Sequence, residues 1–429
     1  MTDHHVTRRQ FLIRSGALAG GVAIGPGLLS ACGGDDGGGG GAGTFKVGAV
    51  LELSGADASG GQLARRGYEF WVDSVNKGGG IDVGGKKYRI DFAVEDCKSQ
   101  PDVGADAVTR LAEQEEVDAI FGSYTSGVQL AMNPICAKYQ VPCIAGSAES
   151  PGNWKPQPQF TYGIIPSVDL TADKALKFIV DSASPKPASA VVLGANEPFS
   201  EDAAAGFAKG AEEAGLEVMQ NSLFPPDADL TPIMSGVASK NPDILAIGGH
   251  DTVLIDAVKA AKSLNFTPKA IIMHYGVTEP SFVDELKKDA DGVLGLVDWT
   301  PEFPYRDDVF GTARDYAGKY ETKYRSAPDY TAAACSVSGE VLQLALKELG
   351  KEPHLAQGDR VKLNEIIGKT DIRTFYGPIK FDSSGDHFHD NTLPAPVLVQ
   401  IKKGEIVAVA PSDVKKADLQ YPLPSFKGR

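Results

Sequence analysis

The sequence predicts an α/β protein built from two units, each a mostly parallel sheet with helices on both faces. Three observations carry that prediction. Short apolar runs alternate with helix-period segments from residue 45 to 145. The alternation restarts after Tyr162 and continues to residue 274. The last third then changes character, with long helical patterns followed by apolar strands. A βαβ succession implies parallel strands joined by crossover helices.

The first unit opens with the apolar run 45–51, which ends at Ser54-Gly55. A helical pattern at 62–75 places Tyr68, Trp71, Val72 and Val75 near one face, and Gly78-Gly79-Gly80 stops it. A strand follows at 88–94, then a helix from Pro101, where proline suits the first turn. Strand 117–122, a helix to about Tyr139 and strand 141–145 complete the unit. In the second unit, helices 170–181, 203–214, 231–240 and 253–264 precede strands 190–194, 217–224, 243–248 and 270–274 respectively. In the last third, 307–324 and 332–349 read as long helices and 363–367 as a short one. Segments 376–381 and 396–401 read as strands, with a hairpin-like turn at Lys402-Lys403-Gly404-Glu405.

The N-terminus reads as an export address. His4, His5, Arg8, Arg9 and Arg14 form a basic start. The small, apolar run 16–31 is broken by Gly20, Gly21, Gly25, Pro26 and Gly27, so it makes a poor membrane-spanning helix and has signal-peptide proportions. Arg8-Arg9 followed by apolar residues resembles a twin-arginine signal. Leu29-Ser30-Ala31-Cys32 resembles a bacterial lipobox, which implies lipidation at Cys32. An uncleaved anchor, or an ordinary thiol at Cys32, is the plainer alternative. Residues 33–43 contain only Gly, Asp and Ala and read as a flexible tether.

Of 429 residues, 42% are hydrophobic and 23% charged, as in soluble globular proteins. The net charge of -14 argues against nucleic acid and against a basic membrane-binding face. Beyond Cys32, the cysteines are Cys97, Cys136, Cys143 and Cys335. Export permits disulfides, and buried free thiols are the alternative. Their spacing lacks a repeated C-x-x-C, so a zinc site is not expected; no other metal site and no cofactor is predicted.

An ordered set of short segments carries a family likeness: Val47-Gly48-Ala49-Val50, Leu53-Ser54-Gly55, Val75-Asn76-Lys77-Gly78-Gly79, Glu95-Asp96-Cys97, Phe121-Gly122-Ser123, Val141-Pro142 and Tyr376-Gly377-Pro378-Ile379-Lys380-Phe381-Asp382. Together they resemble the Leu/Ile/Val-binding type of substrate-binding protein of ABC importers, from residue 45 to about 409. The resemblance implies the two-lobed type 1 periplasmic-binding fold with three hinge crossovers, near 164–168, 298–302 and 372–376. On that frame, 1–32 is the export signal, 33–43 the tether, 44–165 plus 302–372 lobe one, and 166–301 plus 373–429 lobe two. It also implies a small-molecule ligand such as an amino acid, delivery to a membrane permease, no enzymatic activity, and attachment outside the cytoplasmic membrane through the lipid alone.

Ligands of open α/β sheets sit beyond the carboxyl ends of the strands. The first candidate there is Gly122-Ser123-Tyr124-Thr125-Ser126-Gly127, between a strand and a helix. Its hydroxyls and N–H groups suit a carboxylate, and a mere helix N-cap at Thr125 or Ser126 is the competing reading. The resemblance places a carboxylate contact at Ser126 and a backbone contact at Ser147. It puts Glu149 where the family carries Thr, Phe199 and His250 at aromatic cleft positions, and Tyr275 where amino-acid binders carry an acid for the ammonium group. Glu149 or Asp251 is then the candidate counter-charge. Without one, the ligand is an amide, a urea-like compound or an aromatic acid. Ordinary packing is the alternative for each aromatic.

Catalytic signatures are absent: neither H-E-x-x-H nor G-x-S-x-G occurs. Gly368-Lys369-Thr370 echoes a P-loop end, but Leu363 stands where its first glycine belongs. The Asp/Gly/His-rich segment 382–390 reads as a turn. A ligand-sensing domain of a signalling system is the rival to an importer component.

Overall fold

The computed structural model describes residues 43–428. The export segment, Cys32 and the tether up to residue 42 lie outside the described residues. The first sheet is built from β1 (Thr44–Leu51), α1 (Ala58–Lys77), β2 (Ile81–Val83), β3 (Lys86–Asp96), α2 (Pro101–Glu113), β4 (Ala119–Phe121), α3 (Ser126–Tyr139), β5 (Cys143–Ala145) and β6 (Thr161–Gly163). Its strand order is β2-β3-β1-β4-β5-β6, parallel except for β2 at the edge.

The chain continues with α4 (Ala172–Ser182), β7 (Ser189–Ala195), α5 (Pro198–Glu213), β8 (Glu217–Phe224), α6 (Leu230–Lys240), β9 (Ile244–Gly248), α7 (Asp251–Ser263), β10 (Ala270–His274), α8 (Pro280–Leu286) and β11 (Leu294–Val297). Then come α9 (Ala313–Tyr324), α10 (Tyr330–Leu349), α11 (Gln357–Ile367), β12 (Asp371–Arg373), β13 (Pro378–Lys380), β14 (Val397–Lys402) and β15 (Glu405–Ala410). The second sheet has the order β15-β14-β11-β10-β9-β7-β8, with β14 and β15 antiparallel at one edge. These are the two lobes. The late helix α10 packs on α1 of the first sheet, whereas β14 and β15 extend the second.

Both sheets are apolar on two faces, as helix-covered parallel sheets must be. A large cluster including Phe45, Trp71, Phe121, Phe207 and Ala333 covers one side of the first sheet and reaches the second. Leu111, Val128 and Met132 fill the far side of the first sheet, and Met234, Leu254 and Val258 that of the second. Gly339 lets α10 approach α1: a Cβ there would stand 2.1 Å from the Trp71 ring.

Two expectations are corrected. The helical pattern at 307–324 is broken, because the Asp307 carboxylate accepts from the N–H groups of Val309 and Phe310, and Thr312 begins α9 with a reciprocal capping box to Asp315. The run 376–381 yields only β13, which pairs with β12 in a separate two-stranded ladder. Cys97, Cys136, Cys143 and Cys335 are free, buried thiols, so the bland alternative to disulfides holds.

Candidate functional site

Strand order reverses between β1 and β4 in the first sheet and between β7 and β9 in the second. Loops leaving the strands at such switch points splay apart and open a crevice. In the first lobe the crevice is shaped by Glu52, at the end of β1. Its buried carboxylate accepts from the N–H of Tyr124 (3.0 Å), the N–H of Thr125 (3.0 Å) and the Thr125 hydroxyl (2.7 Å). Burial pushes the Glu52 carboxyl up, against these hydrogen bonds. An internal carboxylate therefore already holds two of the loop's N–H groups, and Ser126 and Gly127 remain at the first turn of α3. Thr125 turns inward as the N-cap of α3.

Tyr124, Ser126, Ser147, Glu149, Phe199, His250 and Tyr275 line one cavity together with Ala148. Thr125, also predicted for the site, lies outside that lining. The Ser126 hydroxyl accepts from the Ser150 N–H at 3.0 Å, which keeps its own proton available to an oxygen in the cavity. Phe199, in the first turn of α5, stacks on His250 with centroids 5.3 Å apart. Tyr124 packs at 5.1 Å from His250 and 5.7 Å from Tyr275. The small side at Gly60 admits the Tyr124 ring, since a Cβ there would lie 2.1 Å from it.

The walls belong to different lobes and are bridged by polar pairs. The Tyr124 hydroxyl donates to Glu279 Oε1 at 3.0 Å, and Ser59 donates to Glu279 Oε2 at 2.8 Å. The Tyr275 hydroxyl donates to Asp329 Oδ2 at 2.6 Å. Glu149 accepts from the Tyr330 hydroxyl at 2.8 Å on its own side and faces His274 Nε2 across the cleft at 3.1 Å. Ser150 donates to Asp202 at 2.5 Å. Within this frame the free space is about 10 Å³, room for about one water molecule.

Helix starts converge here: Thr125, Glu197, His250, Glu279 and Asp329 are the N-caps of α3, α5, α7, α8 and α10. The partial positive charge of helix N-termini makes buried carboxylates tolerable at such positions. Burial pushes the Glu279 carboxyl well up, with Asp251 and Asp329 adding like charge. Burial likewise raises Asp329, against its bonds from Tyr275 and the Ala332 N–H. His250 behaves oppositely: burial disfavours its charge, but Glu197 at 3.6 Å, with Asp57 and Glu279, outweighs burial and pushes the imidazole up to about 10. A charged His250 donates from Nδ1 to the Tyr124 oxygen 3.0 Å away, which in turn donates to Glu279.

Sequence reasoning placed the loops but missed the acids behind them. Asp251 is buried against Ser281 (2.7 Å) outside the small cavity's lining, and Asp329 is instead the carboxylate paired with Tyr275. Asp329-Tyr330-Thr331-Ala332 carries an N-cap signal that points to Asp329. For Glu52 and Glu279 only the strand end and the following proline offer a signal. Among the described residues, no group of three or more His, Cys, Asp or Glu is placed to hold a metal ion, and no helix is long and apolar enough to cross a membrane.

Comparison with known proteins gives the same frame. The chain is 23% identical over 388 residues to Leu/Ile/Val-binding protein homolog 8 of Brucella abortus, covering 88% of this chain and 93% of the relative. It is 23% identical over 205 residues to Leu/Ile/Val-binding protein BraC3 of Rhizobium johnstonii, where the match spans 54% of that protein and 48% of this chain. Among solved structures, the leucine-binding protein LivK of Thermotoga maritima superposes with a TM-score of 0.74 at 21% identity, covering 86% of this chain and 98% of that one. A solute-binding protein of an ABC transporter from Rhodopseudomonas palustris, in complex with benzoate, superposes with a TM-score of 0.69 at 21% identity, covering 86% and 99%. These structures share the type 1 two-lobed fold. A family model for periplasmic binding proteins matches residues 44–405, and the chain accordingly belongs to that family of extracytoplasmic solute binders, which are not enzymes.

Proposed function

We propose that this protein is the solute-binding component of an ABC importer, which captures a small polar ligand between its lobes and delivers it to a membrane permease. One observation carries the reading: seven side chains from loops and helix starts of both lobes surround one small interlobe cavity. Ser126 and Ser147 hold the ligand's polar head from lobe one. Phe199, His250 and Tyr275 close over it from lobe two, with Tyr124 between them, Glu149 as a counter-charge and Thr125 shaping the loop. The lobes are 44–165 plus 302–372 and 166–301 plus 373–429, preceded by the signal 1–32 and the tether 33–43. Space for one water does not admit such a ligand, so the described conformation corresponds to a closed state and capture requires opening. Ligand contacts to both lobes then favour closure by population shift.

The ligand is an amino acid or a related compound. The second choice is an amide, a urea-like compound or an aromatic acid, because Tyr275 stands where amino-acid binders of the family carry an acid for the ammonium group. Export by a twin-arginine route and lipidation at Cys32 would tether the lobes beside the permease and raise their effective concentration there. The test is calorimetric titration with leucine, isoleucine, benzoate and acetamide. Saturable binding without turnover is expected, and Ser126→Ala or Tyr275→Ala should weaken it by about tenfold or more. Unchanged affinity in both variants, or formation of product, overturns the reading.

A further inference from the structure

A larger cavity lies behind the tyrosines of the site. It has a volume of about 510 Å³ and sits between β11 with its following crossover, the β14–β15 hairpin, α8 and the residues before α10. Tyr124 and Tyr275 line the small cavity, while their carboxylate partners Glu279 and Asp329 line the large one. The two tyrosine–carboxylate pairs thus form the partition between two compartments.

The lining of the large cavity is one-sided in charge. It carries Glu279 and Asp329 in the interior and Asp284, Glu302 and Glu405 toward the surface, and it includes neither lysine, arginine nor histidine. Glu279 and Asp329 are 0% and 6% exposed. Their hydrogen-bond donors are hydroxyls and backbone N–H groups, all neutral. His250, whose imidazole Glu197 helps push up to about 10 against burial, stands on the far side of the Tyr124 hydroxyl and already faces Glu197. Most of the remaining lining is apolar, with Trp299 the largest side chain, beside Thr278, Thr300 and Ser326. Buried carboxylates without a cation are costly, and a compact cation that desolvates beside them recovers that cost. At this volume the compartment matches small-molecule sites.

We infer that this cavity is a second binding site, for an organic cation: a protonated amine whose charge sits at Glu279 and Asp329 and whose aromatic or aliphatic body lies against Trp299. Metal ions fit poorly, because the body of the cavity is apolar and large. The site differs from the polar cleft in lining, in size and in ligand charge. The two linings share no residue, and the compartments meet through the hydrogen-bonded pairs of the partition.

The probe is 2-phenylethylammonium, compared with its neutral analogue 2-phenylethanol, titrated calorimetrically into the full chain at neutral pH. The amine is expected to bind saturably, and the alcohol at least about tenfold more weakly. Glu279→Gln keeps one accepting oxygen, turns the other hydroxyl contact into one that its amide donates, and removes the ionisable group, so it should weaken the amine by a similar factor while the fold, checked by thermal melting, persists. Ala327→Trp, placed on an exposed residue of the lining, should block the amine without touching either carboxylate. Equal binding of amine and alcohol, no binding of the amine, or amine binding unaffected in both variants overturns the inference. Ser126-dependent binding of a solute from the first panel would stand in any of these cases, so the two readings fail separately.

Discussion

At the scale of single residues, the cleft is organised by buried charges that the fold uses to fix its loops. Glu52 shows the principle. Its carboxylate is the partner of two loop N–H groups and one hydroxyl, so its removal strands buried donors. Glu52→Ala should lower stability by about 2 kcal/mol and blur the Tyr124 position, read from urea denaturation midpoints. His250 gives a pH signature. Its folded pKa, about 10, stands above the ordinary 6.5, so its charge stabilises the native state fully below pH 6.5. That contribution is lost as the pH rises through about 10. The stability gap between the native protein and His250→Gln should be greatest near pH 6 and vanish above about pH 10, measured by denaturation at a series of pH values. The candidate loops were legible because strand ends, hydroxyl clusters and turns are local signals. The acids were not, because Glu279 and Asp329 meet Tyr124 and Tyr275 across separations of 155 and 54 residues.

At the scale of elements, α10 joins stability to the site. Its N-cap Asp329 accepts from the Ala332 N–H at 2.8 Å with one oxygen and from Tyr275 with the other. One carboxylate therefore starts the helix and ties the second lobe to it. Farther along, Gly339 sits under the Trp71 ring. Gly339→Ala should destabilise by about 1–3 kcal/mol, despite alanine's better helix propensity, because Trp71 in a close-packed core cannot retreat. Thermal unfolding decides between the two effects. Element order was readable wherever periodicity ran for a full helix or a long strand. It failed for β2, β6 and β11, which are three or four residues long, and at 307–312, where a side chain's hydrogen bonds override an apolar pattern. The return of α10 to the first sheet and of β14 to the second came from the family resemblance, because no local pattern encodes long-range pairing.

At the scale of the whole molecule, two lobes meet through hydrogen-bonded side-chain pairs around a nearly filled cavity. Such pairs, each worth about 1 kcal/mol in water-accessible surroundings, can break and re-form as the lobes move. A ligand that contacts both walls shifts that balance toward closure. Pulsed electron–electron resonance tests this most directly, with spin labels at Leu130→Cys on α3 and Leu264→Cys after α7. Both positions are exposed, at 39% and 37%. Cys97, Cys136, Cys143 and Cys335 are buried and stay unlabelled, and Cys32→Ser removes the remaining cysteine of the sequence. Saturation with a solute whose calorimetric binding depends on Ser126 should collapse a broad distance distribution to a single shorter one. The same distribution with and without that bound solute would contradict capture by lobe closure.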